Sequence, residues 1–306
     1  MAYRSAPPPP DDGISIVEVE AADGTSLVAD LFEPPKPRAT VVLAHAMMAS
    51  RRTLARGLMP VLASRGFRVV NVDFRGHGAS GVSASHGGDW SYDDLVRFDL
   101  PAIVSAVRDR FDGPVALVGH SLGGHVAAAA TGLGLFDLDA LVLLAANVWL
   151  PRFERSRRMR LAKGAILEAT ARTVQRLGYL PVRRLRLGSD DEARAYFVAF
   201  RRFWREDAWS SDDGRDDYLR AVSRVRMPVL AVSSEGDRLA CAPPSAEAFA
   251  RTLGSRDLVL HVVRGAAAPG HMELATRAGS HPVWERIADF LEDRLSRKVV
   301  LLLQNQ

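Results

Sequence analysis

Cysteine is nearly absent from this chain: Cys241 stands alone in 306 residues. No internal disulfide can form and no cysteine-based metal site can be assembled. Cys241 reads as a small packing residue rather than a nucleophile. Long apolar runs are missing too. No stretch reaches the roughly 18 apolar residues that a membrane span needs, and the apolar 299–303 near the end is far too short. Residues 1–13 hold a proline run, Pro7 to Pro10, but no apolar h-region, so they read as a flexible lead-in and not as a signal peptide. A cytoplasmic protein without stable membrane insertion is expected. Lysine occurs only three times, against abundant arginine, and the net charge is +4. No C2H2, recognition-helix or RNP-like pattern accompanies that charge, which argues against a nucleic-acid partner. There is no internal repeat. What remains is an ordinary globular composition, 47% hydrophobic and 25% charged, on a chain long enough to bury a large core.

The most informative stretch present is Val118-Gly119-His120-Ser121-Leu122-Gly123-Gly124. It follows the apolar run 114–117 and precedes the alanine-rich 125–130. A serine with a glycine two residues away on each side, at a strand-to-helix junction, implies a turn so sharp that Ser121 is strained. Bulky neighbours at 119 and 123 would collide with the adjoining strand and helix. The turn lifts the hydroxyl out of the sheet and points the Leu122 N–H, at the helix N-terminus, toward whatever the hydroxyl attacks.

Around this junction the pattern alternates. Residues 14–20 and 26–32 alternate apolar and polar about an Asp23-Gly24 turn, a hairpin-like pair. Buried parallel strands are predicted at 40–45, 67–73, from 115, and at 141–148, 229–233 and 258–263. Helices are predicted at 53–65, 91–111 with Ser91 as N-cap, 123–131, 245–253 and 283–295. Between 149 and 226 the alternation stops: the segment is arginine-rich and helical in period, with no buried strand. The expected architecture is α/β, a mostly parallel twisted sheet with helices on both faces. The core would be 14–148 with 227–297, a helical cap 149–226 would lie over the carboxyl ends of the strands where such sheets bind ligands, and 298–306 would form a tail.

A serine hydroxyl needs a base. Of eight histidines, His45 and His120 sit beside turn residues, His77 and His86 in loops, His125 in a helix, His261 in a strand and His281 at the start of the last helix. His271 lies in the loop after the last strand, at the same sheet edge as Ser121. Its imidazole needs an acceptor for the other N–H. Asp237, one strand earlier in Ser233-Ser234-Glu235-Gly236-Asp237, is preferred, with Glu235 as competitor. The order Ser121, Asp237, His271 matches this type of elbow. The backbone N–H of Met47, at the end of a strand expected to neighbour the elbow strand, and that of Leu122 are the candidate oxyanion donors.

These motifs resemble the α/β-hydrolase superfamily over about residues 13–295. They are Leu43-Ala44-His45-Ala46-Met47, Asp73-Phe74-Arg75-Gly76-His77-Gly78-Ala79-Ser80, the Ser121 elbow, Glu235-Gly236-Asp237 and Gly270-His271. The resemblance implies the α/β-hydrolase fold and a Ser121–His271–Asp237 triad, and no cofactor or metal. It departs where the family has His-Gly: His45-Ala46 implies a different backbone path before Met47. Met47 and Met48 would line the acyl side of the pocket with adaptable apolar surface, joined by Trp149.

Residues 151–226 hold 19 Arg/Lys against 11 Asp/Glu, whereas the rest of the chain is slightly acidic. Phe153, Tyr179, Phe197, Phe200, Phe203, Trp204 and Trp209 are interleaved. Two readings stand: a mobile cap whose basic exterior meets an anionic surface or an acyl carrier, or a solvated arginine-rich face over ordinary helix packing. The expected function is a serine hydrolase of carboxylic esters acting on a small-molecule acyl substrate through an acyl-enzyme. Acyltransferase or thioesterase is the alternative, and carbon–carbon hydrolase, peptidase and non-catalytic ligand binder follow. Oligomeric state is not legible.

Overall fold

The computed structural model describes residues 13–304, with side chains through residue 296; nearly all of the lead-in, 1–12, lies outside the described residues. Eight strands form one sheet in the order β1-β2-β4-β3-β5-β6-β9-β10. They are β1 (Ile14–Glu20), β2 (Ser26–Phe32), β3 (Thr40–Ala44), β4 (Arg68–Val72), β5 (Val115–His120), β6 (Ala140–Leu144), β9 (Val229–Ser234) and β10 (Leu258–Val263). The hairpin β1–β2 and the β2–β4 pairing are antiparallel, and every other pairing is parallel. After β3 the chain steps outward to β4, then returns to place β5 on the other flank of β3. The carboxyl ends of β3 and β5 thus meet where the strand order reverses, the place where open α/β sheets leave a crevice.

The period of two along each strand sorts side chains onto the two faces. Val42, Val70, Leu117, Leu141 and Ala231 join one apolar cluster, while Val41, Val69, Ala116, Val142 and Leu230 join the other. Both faces are covered by helices, which is why these strands read as continuous apolar runs.

Four local features differ from the sequence expectations. The helix expected at 53–65 is broken into Arg52–Ala55 and Leu58–Ser64. The break falls at Gly57, where a Cβ would lie 2.6 Å from both the Ala275 carbonyl oxygen and Trp284. The strand expected at 141–148 ends at Leu144, because Ala145 turns the chain with φ +47°. The helical stretch from 91 begins as expected, with Ser91 and Asp94 forming a reciprocal capping box. It then widens into a π-helical turn at Leu95–Asp99 just before Pro101, which has no N–H to continue an α ladder. Finally, the last helix starts at His281 and runs to Gln304, so 298–304 continue it rather than forming a separate tail.

The segment expected as the cap, 149–226, is mostly helical, with Arg157–Leu177 packed on Arg194–Glu206. It is not free of strands: β7 (Tyr179–Leu180) and β8 (Glu192–Ala193) pair antiparallel. Its aromatics are packing residues. Phe200, Phe203 and Trp209 set their rings against Tyr92 of the core at centroid distances of 5.9, 5.5 and 6.3 Å, and all three are buried. Among the described residues no helix is long and apolar enough to cross a membrane.

Candidate active site

Ser121 joins β5 to the helix Leu122–Leu133 with φ +52° and ψ −112°. A non-glycine residue in that region is strained by roughly 1–3 kcal/mol and persists only where its surroundings over-determine it. They do so here. The Ser121 N–H donates to the Leu144 carbonyl (2.9 Å), and the Gly123 N–H donates to the His45 carbonyl (3.2 Å). A Cβ at Gly119 would fall 2.3 Å from the Gly124 nitrogen, and one at Gly123 would fall 2.4 Å from the Ala44 oxygen. Both glycines are therefore required for the close passage of strand and helix, as the spacing implied.

Asp237 and His271 are brought together. His271 Nδ1–H donates to Asp237 Oδ2 at 2.5 Å, and Asp237 is buried. The other carboxylate oxygen, Oδ1, accepts the N–H groups of Ala240 and Cys241, each at 3.0 Å. Burial pushes this carboxyl upward, but the His271 bond and charge and the two backbone donors outweigh it and hold it below the usual aspartate value. The two loops are stapled by the Ser234 hydroxyl, which donates to the Pro269 carbonyl (2.6 Å). Gly236 passes so close that a Cβ there would lie 2.1 Å from the Ala268 oxygen. Glu235, the competitor, turns outward to Arg264 (3.1 Å) and the Gly265 N–H.

The elbow reaches this pair through His120. Its ring lies 5.1 Å from that of His271, and its Nε2–H donates to the His271 carbonyl (3.1 Å). Burial, with the neighbouring His271, drives His120 down to about 3, so it stays neutral. Among the described residues no hydrogen bond joins Ser121 Oγ to His271, so of the expected Ser121–His271–Asp237 chain only the His271–Asp237 bond is made.

The β3 end supplies the third wall. His45 is buried and neutral, lowered by burial and by the nearby His77. Its Nε2 accepts the Phe74 N–H (3.0 Å), which leaves Nδ1–H to donate to the Ala46 carbonyl (2.7 Å). The Ala46 C=O and the Met47 N–H belong to one planar peptide and point oppositely, so His45 fixes the plane that carries the Met47 donor. Neither the Met47 nor the Leu122 N–H is committed to another hydrogen bond among the described residues. Alanine in place of the family glycine is accommodated with the left-handed residue falling at Met48, φ +61°. Met47 and Met48 are half-buried against the core. Trp149, also half-buried, lies over the acid loop and donates its indole N–H to the Ala240 carbonyl (2.8 Å).

Two buried ion pairs of the cap were not anticipated. Lys163 of the long cap helix meets Glu154 at 3.0 Å and lies over the Trp149 ring. Glu192 of β8 accepts both the Met48 N–H (2.5 Å) and His77 Nε2–H (3.1 Å). His77 Nδ1–H donates to the Arg75 carbonyl (2.9 Å). With both ring nitrogens donating, His77 is an imidazolium. Burial alone would lower it, but the Glu192 carboxylate raises it to about 9. The available signal was Asp190-Asp191-Glu192, an acidic island in a basic cap. An open groove of about 480 Å³ lies beside Asp237, between Arg155, Arg238 and Pro243, but Ser121 does not line it.

A family model described as serine aminopeptidase, S33, matches residues 35–272. No curated protein matches the chain. Among solved structures it is similar to an α/β-hydrolase, GrgF, of Penicillium sp. (17% identity, 92% of this chain and 99% of that chain, TM-score 0.67). It is also similar to an esterase of Pyrococcus furiosus (17%, 92% and 93%, 0.62) and to the monoacylglycerol lipase of Paleococcus ferrophilus (17%, 88% and 99%, 0.61). At these identities the likeness shows the α/β-hydrolase fold.

Proposed function

The chain belongs to the serine aminopeptidase S33 family of α/β-hydrolases, and from that membership we propose that it is a serine hydrolase that cleaves carboxylic esters through an acyl-enzyme. The observation that carries the proposal is the Asp237–His271 hydrogen bond beside a strained Ser121. With Nδ1–H held by Asp237, the Nε2 of His271 is the basic nitrogen. Ser121 Oγ attacks the ester carbonyl and its proton passes to Nε2. The Met47 and Leu122 N–H groups receive the oxyanion, each such donor being worth about 10²–10³ in turnover. The imidazolium then protonates the departing alkoxide. Water, deprotonated by His271, attacks the acyl-enzyme and releases the acid. Met47, Met48 and Trp149 would border the acyl group.

The family description makes peptide amides the second substrate class. An aminopeptidase needs a carboxylate to receive the substrate's ammonium group. The cap's buried Glu154 and Glu192 are already paired with Lys163 and His77 respectively, which favours esters. The esterase and the lipase among the similar structures agree with that preference.

The test is fluorophosphonate labelling of the parent and of Ser121→Ala, with p-nitrophenyl esters of increasing chain length run beside aminoacyl p-nitroanilides. Labelling of the parent alone, with ester turnover exceeding anilide turnover, is expected. A parent that does not label sinks the serine mechanism. If a modest concentration of competing alcohol diverts most of the acyl group, the enzyme is an acyltransferase.

A further inference from the structure

Met48 sits in a left-handed conformation, φ +61°, that a residue other than glycine adopts only under strain. What holds it there comes from the cap. The Ser189 N–H donates to the Met48 carbonyl (2.9 Å) and Glu192 Oε1 accepts the Met48 N–H (2.5 Å). Gly188 crosses so closely that a Cβ would lie 2.1 Å from the Met48 oxygen. The same segment is tied to the neighbouring core loop, where Asp190 Oδ1 accepts the Gly78 N–H (2.9 Å) and Glu192 meets His77. Residues 188–192 therefore grip both polar groups of Met48, the residue after the candidate oxyanion donor.

On the hydrolase reading above, we infer that Glu192 is a positioning residue: by docking the cap on Met48 it holds the peptide after Met47 as His45 holds the peptide before it, so the oxyanion site is complete only when residues 188–192 are seated. Met47 lies between two anchors. His45 holds the peptide before it and Glu192 holds the peptide after it. The core supplies the first anchor and the cap the second. Charge explains the company Glu192 keeps. A bare carboxylate next to the place where negative charge develops would oppose the reaction. The His77 imidazolium, buried with it, offsets that charge while leaving the carboxylate free to accept the Met48 N–H. Only Glu192 Oε1 is used; Oε2 is buried with no partner among the described residues.

The test uses the full chain and a p-nitrophenyl ester that the parent turns over. Glu192→Ala is expected to lower kcat about 10- to 100-fold, a misplaced donor being less severe than a deleted one, with KM within about twofold. Affinity for a trifluoromethyl ketone, which forms an oxyanion on Ser121, should fall in parallel with kcat, while a non-reactive amide of the same shape keeps its affinity. Glu192→Gln, which retains an oxygen for the Met48 N–H, should recover most of kcat. Gly188→Ala, which forces the segment off Met48 without touching the charges, should repeat the kcat loss and decides the matter if Glu192→Ala does not fold. A folded Glu192→Ala or Gly188→Ala with parental kcat, or a loss confined to KM, overturns the inference. A parent without labelling or turnover overturns it together with the hydrolase reading; a parent that labels beside unaffected variants overturns it alone.

Discussion

On the core side of the site, Ser121, Asp237 and His271 sit on loops that leave the carboxyl ends of β5, β9 and β10, and these loops are tied to one another by the Ser234–Pro269 and His120–His271 bonds. The cap carries none of the three proposed triad residues. Two of the junctions by which the cap meets the core are dissimilar: an aromatic seam, in which Phe200, Phe203 and Trp209 surround Tyr92, and a charged clasp, in which Glu192 joins Met48 and His77. The seam is apolar and tolerant of small shifts, because dispersion and burial have little direction. The clasp is directional, because each hydrogen bond demands a distance and an angle. The contrast teaches that attachment and alignment of the cap are separable, one resting on area and the other on geometry.

The comparison breaks most sharply on the core side. Ser121→Ala is expected to abolish fluorophosphonate labelling and lower kcat by about 10⁶; residual turnover within a hundredfold of the parent would remove the nucleophile from Ser121. Asp237→Asn should lower kcat by about 10⁴, since an amide no longer holds His271 with Nδ1 protonated. It should also weaken stability above pH 4, because the depressed Asp237 contributes stability above its unfolded value that is lost as pH falls through the folded one. Chemical denaturation at pH 7 and pH 3 checks the second part.

On the seam, Phe203→Ala should destabilise by about 3–5 kcal/mol, read from the urea midpoint, with turnover per folded molecule unchanged. A kcat loss without a stability loss would mean that the seam aligns as well as attaches. The smallest effect belongs to the clasp's charge. His77 is raised from about 6.5 in the unfolded chain to about 9 in the fold. Its pair with Glu192 thus stabilises fully below pH 6.5, and that contribution is withdrawn as pH rises through about 9. Thermal melting of the parent should decline across that window, and His77→Gln should flatten the decline. Equal slopes would show that the pair does not titrate there.

Much of this was legible in the chain. The buried strands announced themselves by apolar runs, and the elbow by glycines that both prove sterically required. The Ser91 cap was legible from a local hydrogen-bonding pattern. Asp237 and His271 were placed by their order relative to the strands, because in a parallel sheet successive carboxyl-end loops share one edge. The Gly57 break was not legible, since its cause is Ala275 and Trp284, more than 200 residues away. Nor was the Glu192 clasp, which pairs groups 144 and 115 positions apart.

The sequence by itself determined the layered α/β sheet and the edge on which Ser121, Asp237 and His271 gather, because periodicity and strand order are properties of neighbours along the chain. Only the tertiary structure decided that an acidic residue in a basic cap would be buried against an imidazolium and a strained methionine backbone. Such a contact has no local period: the burial that makes Glu192 unfavourable alone and paired beside His77 exists only once the cap packs on the core.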